Sequence, residues 1–200
     1  MRVGALVLCG GRSRRMGTSK AWLRFGEEYL LQRVVRMLTG ALEPVFVVSA
    51  RGQRLPCLPN NVAIIEDRVP DSGPLAALSA GLEAISRQAD AAFVCGCDAP
   101  FLRPEFVLRM VRQAEGADLT VPREEGRLHP LAAVYRVSLL PVIQDMLDAG
   151  VLRLTMLTER CNCRSVPGSA LRNVDPKLDS LRNINTPDEY RLALSAAGIL

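Results

Sequence analysis

Short apolar runs rich in β-branched residues alternate along this 200-residue chain with segments of helical periodicity. The runs are almost continuously apolar, which is typical of parallel strands that are covered on both faces. The ranges predicted as strands are Val3–Leu8, Pro44–Ser49, Val62–Glu66, Ala91–Cys97, Leu119–Pro122 and Leu131–Tyr135. The alternation indicates an α/β fold, a three-layer, open, mostly parallel sheet with helices on both faces and ligands at the carboxyl ends of its strands.

Apolar residues recur at helical spacing between the predicted strands, and a proline suited to a first helical turn, Pro104, precedes one of these segments. The positions at this spacing are Leu30, Leu31, Val34, Val35 and Leu38, then Leu75, Leu78, Leu82 and Ile85, and then Phe106, Val107, Met110 and Val111. The chain has no internal repeat, no low-complexity tract and no stretch long enough for an interdomain linker. We therefore expect residues 1–200 to form a single domain.

Composition narrows the classes of protein to consider, because 48% hydrophobic and 23% charged residues are typical of a soluble globular chain. The apolar runs fall well short of the roughly 18 residues that a membrane helix needs. No signal-peptide cleavage site follows the first run, so we expect a cytoplasmic protein with no membrane contact. A net charge of +4 and only 4% aromatic residues argue against nucleic acid as a partner.

Six cysteines do not require a disulfide framework in a chain with this much apolar material, so reduced thiols are expected. Cys95 with Cys97, and Cys161 with Cys163, form two C-x-C pairs. Structural zinc sites usually have a spacer of two to four residues, whereas residues i and i+2 of a strand share one face. The pairs are therefore predicted as buried strand residues, with zinc as the alternative.

The stretch "LCGGRSRRMGTSK", from Leu8 to Lys20, leaves the carboxyl end of the first predicted strand. Its glycines allow the backbone to approach a ligand closely, while free N–H groups and cationic side chains can surround an anion such as a polyphosphate. The stretch has neither the P-loop spacing nor the G-x-G-x-x-G spacing of a dinucleotide turn, which disfavours an oxidoreductase. A glycine-rich turn with solvated charges remains the simpler alternative.

This stretch resembles the L-x-G-G-x-S-x-R-M-G-x-x-K signature of the MobA-type nucleotidyltransferases. Three further blocks match that family in order: "IIEDRVPDSGPLAALSAGL" from Ile64, "VCGCDAPFL" from Val94 and "NINTPDEY" from Asn183. The resemblance implies a Rossmann-like nucleotidyltransferase fold and transfer of GMP from GTP to the phosphate of molybdopterin, with release of pyrophosphate and with Mg²⁺ as cofactor. The double glycine of "LCGG" favours the guanylyl branch over the cytidylyl branch of the family.

The resemblance also implies roles for individual residues. Lys20 and Arg15 would bind the phosphates, while Arg12 and Arg14 would be solvated. Main-chain groups of the loop residues and the side chain of Asp67 would contact the nucleotide, and His129 would lie on the pterin side or at a strand edge. The nucleotide-binding set is Leu8, Cys9, Gly10, Gly11, Lys20, Asp67 and Asp98.

Two residues are candidate metal ligands. Asp98 follows a predicted strand, where its carboxylate can bind a hard cation, although an aspartate there can also close the turn before Pro100. Asn185 is the second candidate by resemblance, although Thr186 and Glu189 also form a capping box that explains this segment as a helix start. Because the attacking phosphate is already an anion, the reaction needs positioning and charge neutralisation rather than a general base.

Three positions depart from the family pattern: Ser19 replaces a frequent Asp, Ser49 an Asn that helps to hold the nucleotide, and Ala77 a frequent Gly. They leave the base and the acceptor open, so a cytidylyltransferase or another nucleotidyltransferase of the same fold is the alternative enzyme. A cofactor-binding carrier with little turnover is the alternative outside catalysis. The expected partners are GTP and molybdopterin, and the chain is expected to be a monomer or a weak oligomer. Partner proteins that deliver or accept the cofactor are left as a further alternative.

Overall fold

The computed structural model describes residues 1–10, 18–67 and 73–200, which form a layered α/β structure. The strands in this part of the chain are β1 (Val3–Leu8), β2 (Arg24–Phe25), β3 (Glu28–Tyr29), β4 (Val45–Ala50), β5 (Val62–Asp67), β6 (Ala91–Gly96), β7 (Leu119–Glu124), β8 (Arg127–Leu128), β9 (Ala132–Arg136) and β10 (Cys163–Pro167). The α-helices there are α1 (Leu30–Thr39), α2 (Gly73–Ile85), α3 (Pro104–Gln113), α4 (Leu140–Asp148) and α5 (Pro187–Ala196).

The large sheet has eight strands within the described residues, in the order β10-β7-β9-β6-β1-β4-β5, with β8 paired to β7. Strands β6, β1, β4 and β5 run parallel, whereas β9 is antiparallel to both β6 and β7. The mostly parallel sheet predicted from the sequence is confirmed. The carboxyl ends of the four parallel strands meet at one edge of the sheet, here called the carboxyl edge.

Helices cover both faces of the sheet, as the continuous apolar strands predict. The side chains of β1 alternate: Val3, Ala5 and Val7 pack on the face with α1 and α3, while Leu6 and Leu8 pack on the face with α2 and α4. A strand with both faces buried has no polar side, which explains why "VGALVL" contains no polar residue.

The C-terminal part of the chain is fastened to the rest by a separate apolar cluster and by a buried carboxylate. Phe25 and Leu30 pack there against Ile184 and residues of α5. Asp175, fully buried, accepts hydrogen bonds from the backbone N–H groups of Asp179 and Ser180. These contacts fix the segment that leads to Asn185.

Element boundaries differ from the predicted ones by one or two residues, apart from β1, which matches. The C-x-C prediction is wrong in part, because Cys97 follows β6 and Cys161 precedes β10, and because Cys161 and Cys163 are both only half-buried. All six cysteines are free. Among the described residues, no helix combines the length and the apolarity needed to cross a membrane.

Candidate functional site

Three side chains from distant parts of the sequence meet at the carboxyl edge. The ammonium Nζ of Lys20 donates to Asp98 Oδ2 at 2.6 Å and to Asn185 Oδ1 at 2.9 Å. The Lys20 and Asp98 side chains are only 17% and 13% exposed, so water screens their attraction less than at an open surface. The structure thus brings together three of the residues singled out from the sequence.

Asp98 presents one carboxylate oxygen that the described residues leave without a partner. Oδ2 is paired with Lys20, whereas Oδ1 is buried and accepts no hydrogen bond from the described part of the chain. A Cβ atom at Gly96 would lie only 2.3 Å from this Oδ1, so glycine there makes room for the carboxylate. A buried anionic oxygen without a donor costs free energy unless a cation or another donor reaches it.

Asn185 takes part both in the start of α5 and in the site, because its backbone N–H contacts the helix cap and its side-chain oxygen contacts Lys20. Its N–H and that of Thr186 donate to Glu189 Oε2 at 2.6 and 3.1 Å, while Glu189 N–H donates to Thr186 Oγ1. This is the predicted capping box of α5. The Asn185 side chain stays available for Lys20, and the hydrogen bond from Ile184 N–H to the Asp98 carbonyl, 2.9 Å, holds the two segments together.

The donor set fits a hard divalent cation. Asp98 supplies a carboxylate oxygen and Asn185 an amide oxygen, which are the ligand types that Mg²⁺ and similar ions take, and both oxygens already contact one cation, the Lys20 ammonium. Among the described residues no three His, Cys, Asp or Glu side chains form a metal-binding group. A cation here would therefore need ligands from substrate or water.

The other predicted nucleotide contacts lie at the same edge where the structure describes them. Leu8 ends β1, Cys9 and Gly10 follow it, and Asp67 ends β5 opposite Ala50 of β4. Gly10 packs closely on β4, since a Cβ there would lie 3.4 Å from Ala50 N. Gly11, Arg12, Arg14 and Arg15 lie outside the described residues.

Three buried thiols, those of Cys9, Cys95 and Cys97, lie near the site. The hydrogen bond between the Cys97 and Cys9 thiols, together with burial, raises the pKa of Cys97 well above its ordinary value. Burial likewise raises the pKa of Cys95. Neither group is a thiolate at neutral pH, so neither has the nucleophilicity of a catalytic cysteine.

The departures from the family pattern have clear places in the structure. Ser49 is only 2% exposed and its hydroxyl donates to the Ile65 carbonyl on β5, so its hydroxyl proton is used within the sheet. Ala77 is buried against the sheet on α2.

His129 lies just after β8. Burial, followed by the charge of Arg127, lowers the pKa of His129, which keeps the imidazole neutral at neutral pH.

Sequence reasoning missed Gln53, which lies in the turn after β4. Its side-chain amide contacts both Cys9 and Ala50, and lies 3.5 Å from Ser19 Oγ. No motif marks this residue, because a lone glutamine after a strand has no pattern of its own.

The model of the MobA-like NTP transferase domain matches residues 5–161 of the chain. A relative from Mycobacterium avium (strain 104), named probable molybdenum cofactor guanylyltransferase, is 35% identical over 201 residues, which are 98% of this chain and 97% of that protein.

Solved structures share the fold over the full length. Molybdopterin-guanine dinucleotide biosynthesis protein A from Archaeoglobus fulgidus superposes with a TM-score of 0.80 at 24% identity, with 100% of both chains covered. A Mycobacterium tuberculosis H37Rv protein solved as a complex with manganese gives a TM-score of 0.65 at 18% identity, with 98% of this chain and 100% of that chain covered.

Proposed function

Because the chain belongs to the MobA-like NTP transferase family, we propose that it transfers the GMP moiety of GTP to the phosphate of molybdopterin and releases pyrophosphate. The observation that carries the proposal is the contact of Lys20 with both Asp98 and Asn185 at the carboxyl edge. Nucleotides bind at this edge in open α/β sheets. The name of the Mycobacterium avium relative supports the guanylyl reaction over the cytidylyl one.

Lys20 is the residue to which we assign charge neutralisation. Its ammonium lies between two oxygens in a partly buried site, so it is held in place before any phosphate arrives. A preorganised cation stabilises the charge that develops on the departing pyrophosphate without having to reorganise. We assign the same task to Arg15 on the basis of the family motif.

The acceptor needs no general base. A phosphate is already an anion at neutral pH, so the protein has to hold the two substrates in line and exclude competing water. We assign nucleotide contacts to Leu8, Cys9, Gly10, Gly11 and Asp67.

Asp98 and Asn185 are the residues that would hold Mg²⁺. Asp98 Oδ1, which the described residues leave without a partner, and the Asn185 amide oxygen suit a hard cation. When bound, Mg²⁺ would supply Lewis-acid stabilisation of the phosphoryl oxygens. Manganese in the structure of the Mycobacterium tuberculosis protein supports a divalent cation in this fold.

The proposal extends to the compartment, the substrates and the domain organisation. Six free cysteines suit a reducing compartment, which supports the cytoplasm. GTP and molybdopterin are the proposed substrates, and residues 1–200 the proposed single domain.

The decisive experiment incubates the protein with Mg²⁺, molybdopterin and each of the four nucleoside triphosphates, and identifies the products by mass. We expect a GMP-bearing pterin from GTP and no comparable product from the other three. Lys20→Ala serves as the control for non-enzymatic transfer. A CMP-bearing pterin would contradict the base assignment, and no nucleotide transfer to molybdopterin would contradict the acceptor.

A further inference from the structure

Gln53 is held rigidly against the end of β4 by two hydrogen bonds to one residue. Its backbone N–H donates to the Ala50 carbonyl at 3.0 Å, and its side-chain Oε1 accepts from the Ala50 N–H at 2.9 Å. Because Oε1 faces a donor, the amide nitrogen Nε2 must point the other way, and this network fixes the orientation of the amide.

The Nε2 group of Gln53 points at the loop that leaves β1. It donates to the Cys9 carbonyl at 3.2 Å. The Cys9 N–H is also engaged, since it donates to the Val48 carbonyl of β4 at 2.8 Å. Both polar backbone atoms of Cys9 are therefore held from the β4 side.

Fixing the Cys9 carbonyl also fixes the next N–H group. The carbonyl of Cys9 and the N–H of Gly10 belong to one trans peptide unit, in which the two groups point in opposite directions. Glycine at position 10 would otherwise allow this peptide to rotate, because it lacks the Cβ that restricts other residues. The bond from Gln53 opposes that rotation and keeps the Gly10 N–H directed away from Gln53.

We propose that Gln53 is a positioning residue for the nucleotide, which holds the Cys9–Gly10 peptide in the orientation that receives the base. The inference rests on the proposed function, in which this peptide contacts the nucleotide. Ser49, at the place of the family's asparagine, is buried and bonded to Ile65. Among the described residues, Gln53, in the turn after β4, donates a side-chain hydrogen bond to the backbone of this loop at Cys9.

Two substitutions separate the bonds that Gln53 makes. Gln53→Glu retains an oxygen for the Ala50 N–H and loses the donor to Cys9, whereas Gln53→Met loses both without adding a charge. Gln32 provides a matched control, because its amide also bridges two backbone groups: Oε1 accepts from Tyr29 N–H at 3.0 Å and Nε2 donates to the Cys57 carbonyl at 2.9 Å. Gln32 and Gln53 are both half-buried.

The measurements are the dissociation constant of GTP by calorimetry without acceptor, the KM and kcat of transfer, and the melting temperature. We expect both Gln53 variants to raise the dissociation constant and the KM for GTP by about fivefold to tenfold, the effect of one lost hydrogen bond. The kcat should stay within about twofold, since the peptide contacts the base in ground state and transition state alike. Gln32→Glu and Gln32→Met should lower the melting temperature about as much as the Gln53 variants do. They should leave the dissociation constant and the KM for GTP unchanged.

The outcomes distinguish this inference from the proposed function. Transfer of GMP by the wild type together with wild-type GTP affinity in Gln53→Glu would overturn the role of Gln53 and leave the function intact. If the wild type binds GTP but transfers nothing to molybdopterin, the proposed function is wrong, and the binding constants still decide on Gln53. Equal weakening in the Gln32 variants would show a general structural effect and overturn the inference.

Discussion

Asp98 has two carboxylate oxygens in different surroundings, and one substitution tests what they do. Asp98→Asn keeps the shape and an oxygen for Lys20, but it removes the negative charge that a hard cation prefers. We expect turnover to fall at least about a hundredfold, roughly 3 kcal/mol of transition-state stabilisation, with little change in melting temperature. Initial rates and calorimetric melting on the same preparation check this.

The matched control lies at the other end of the same strand. Asp90 precedes β6 and accepts a hydrogen bond from Arg2 N–H at 2.7 Å, away from the carboxyl edge. Asp90→Asn should retain wild-type turnover. Near-normal transfer by Asp98→Asn would remove the metal assignment and leave Asp98 with only a turn-closing role.

The thiols should differ widely in reactivity. Cys57 is exposed, whereas Cys9, Cys95 and Cys97 are buried. Burial raises the pKa of the half-buried Cys161 to about 11, so little thiolate exists there at neutral pH. With iodoacetamide at neutral pH we expect Cys57 to be modified first, and the rate at Cys161 to rise as the pH approaches its pKa. Peptide mass mapping over time checks the order, and faster labelling of Cys97 than of Cys57 would contradict it.

Helix α2 lies so close to the sheet that a Cβ atom at one of its glycines would crowd two side chains of the sheet. A Cβ at Gly81 would lie 2.7 Å from Leu6 Cδ1 and 3.1 Å from Val48 Cγ2. Gly81→Ala should therefore destabilise the fold by a net of about 1–2 kcal/mol, because the overpacking exceeds the gain in helix propensity of about 1 kcal/mol. Urea unfolding measures the difference.

Gly40, which caps α1, provides the comparison. Its φ is −77°, and a Cβ there would meet its nearest neighbour, Arg36 O, at an ordinary 3.6 Å. Gly40→Ala should change the free energy of unfolding by less than about 0.5 kcal/mol. A loss at Gly40 equal to that at Gly81 would indicate that packing on β1 and β4 is not the cause.

Most elements that the sequence predicts have a buried face, although β5, predicted from its apolar run, buries only Val62, and the missed elements β10 and α4 bury little. Strand β1, buried at every position, was placed to the residue. Strand β10 has one fully buried side chain, Val166, and helix α4 has two, Ile143 and Met146, so neither has a strong periodicity. Both are held by neighbouring elements, which a local pattern does not report.

The candidate site was predictable only where topology or resemblance joined its parts. Asp98 could be placed because it follows a strand whose carboxyl end must lie beside that of β1. Asn185 follows no strand and is 165 residues from Lys20, so only the family motif pointed to it. Neither the sheet topology nor the family motif pointed to Gln53, because its proposed role depends on distances between its side chain and the backbone that no sequence pattern encodes.

For the whole molecule, the central strands tie the two apolar layers together. Strand β1 contributes side chains to both layers, so neither layer can lose its packing while the sheet persists. We therefore expect one cooperative unfolding transition, as proposed for a single domain. Calorimetric and van't Hoff enthalpies should agree, and far-UV circular dichroism should give the same midpoint. A second transition would contradict the single domain.

The sequence contains one tryptophan, Trp22, and its place in the structure has a practical consequence. Trp22 lies two residues after Lys20, its Nε1 donates to the Arg54 carbonyl at 2.9 Å, and its ring meets that of Tyr29 edge-on at 5.1 Å. Indole emission depends on its solvent contact and hydrogen bonding, and Trp22 is 39% exposed. The protein thus has a built-in optical reporter next to Lys20, the residue proposed to bind phosphate, which is suited to stopped-flow tests of the proposed binding of nucleotide and release of pyrophosphate without any added dye.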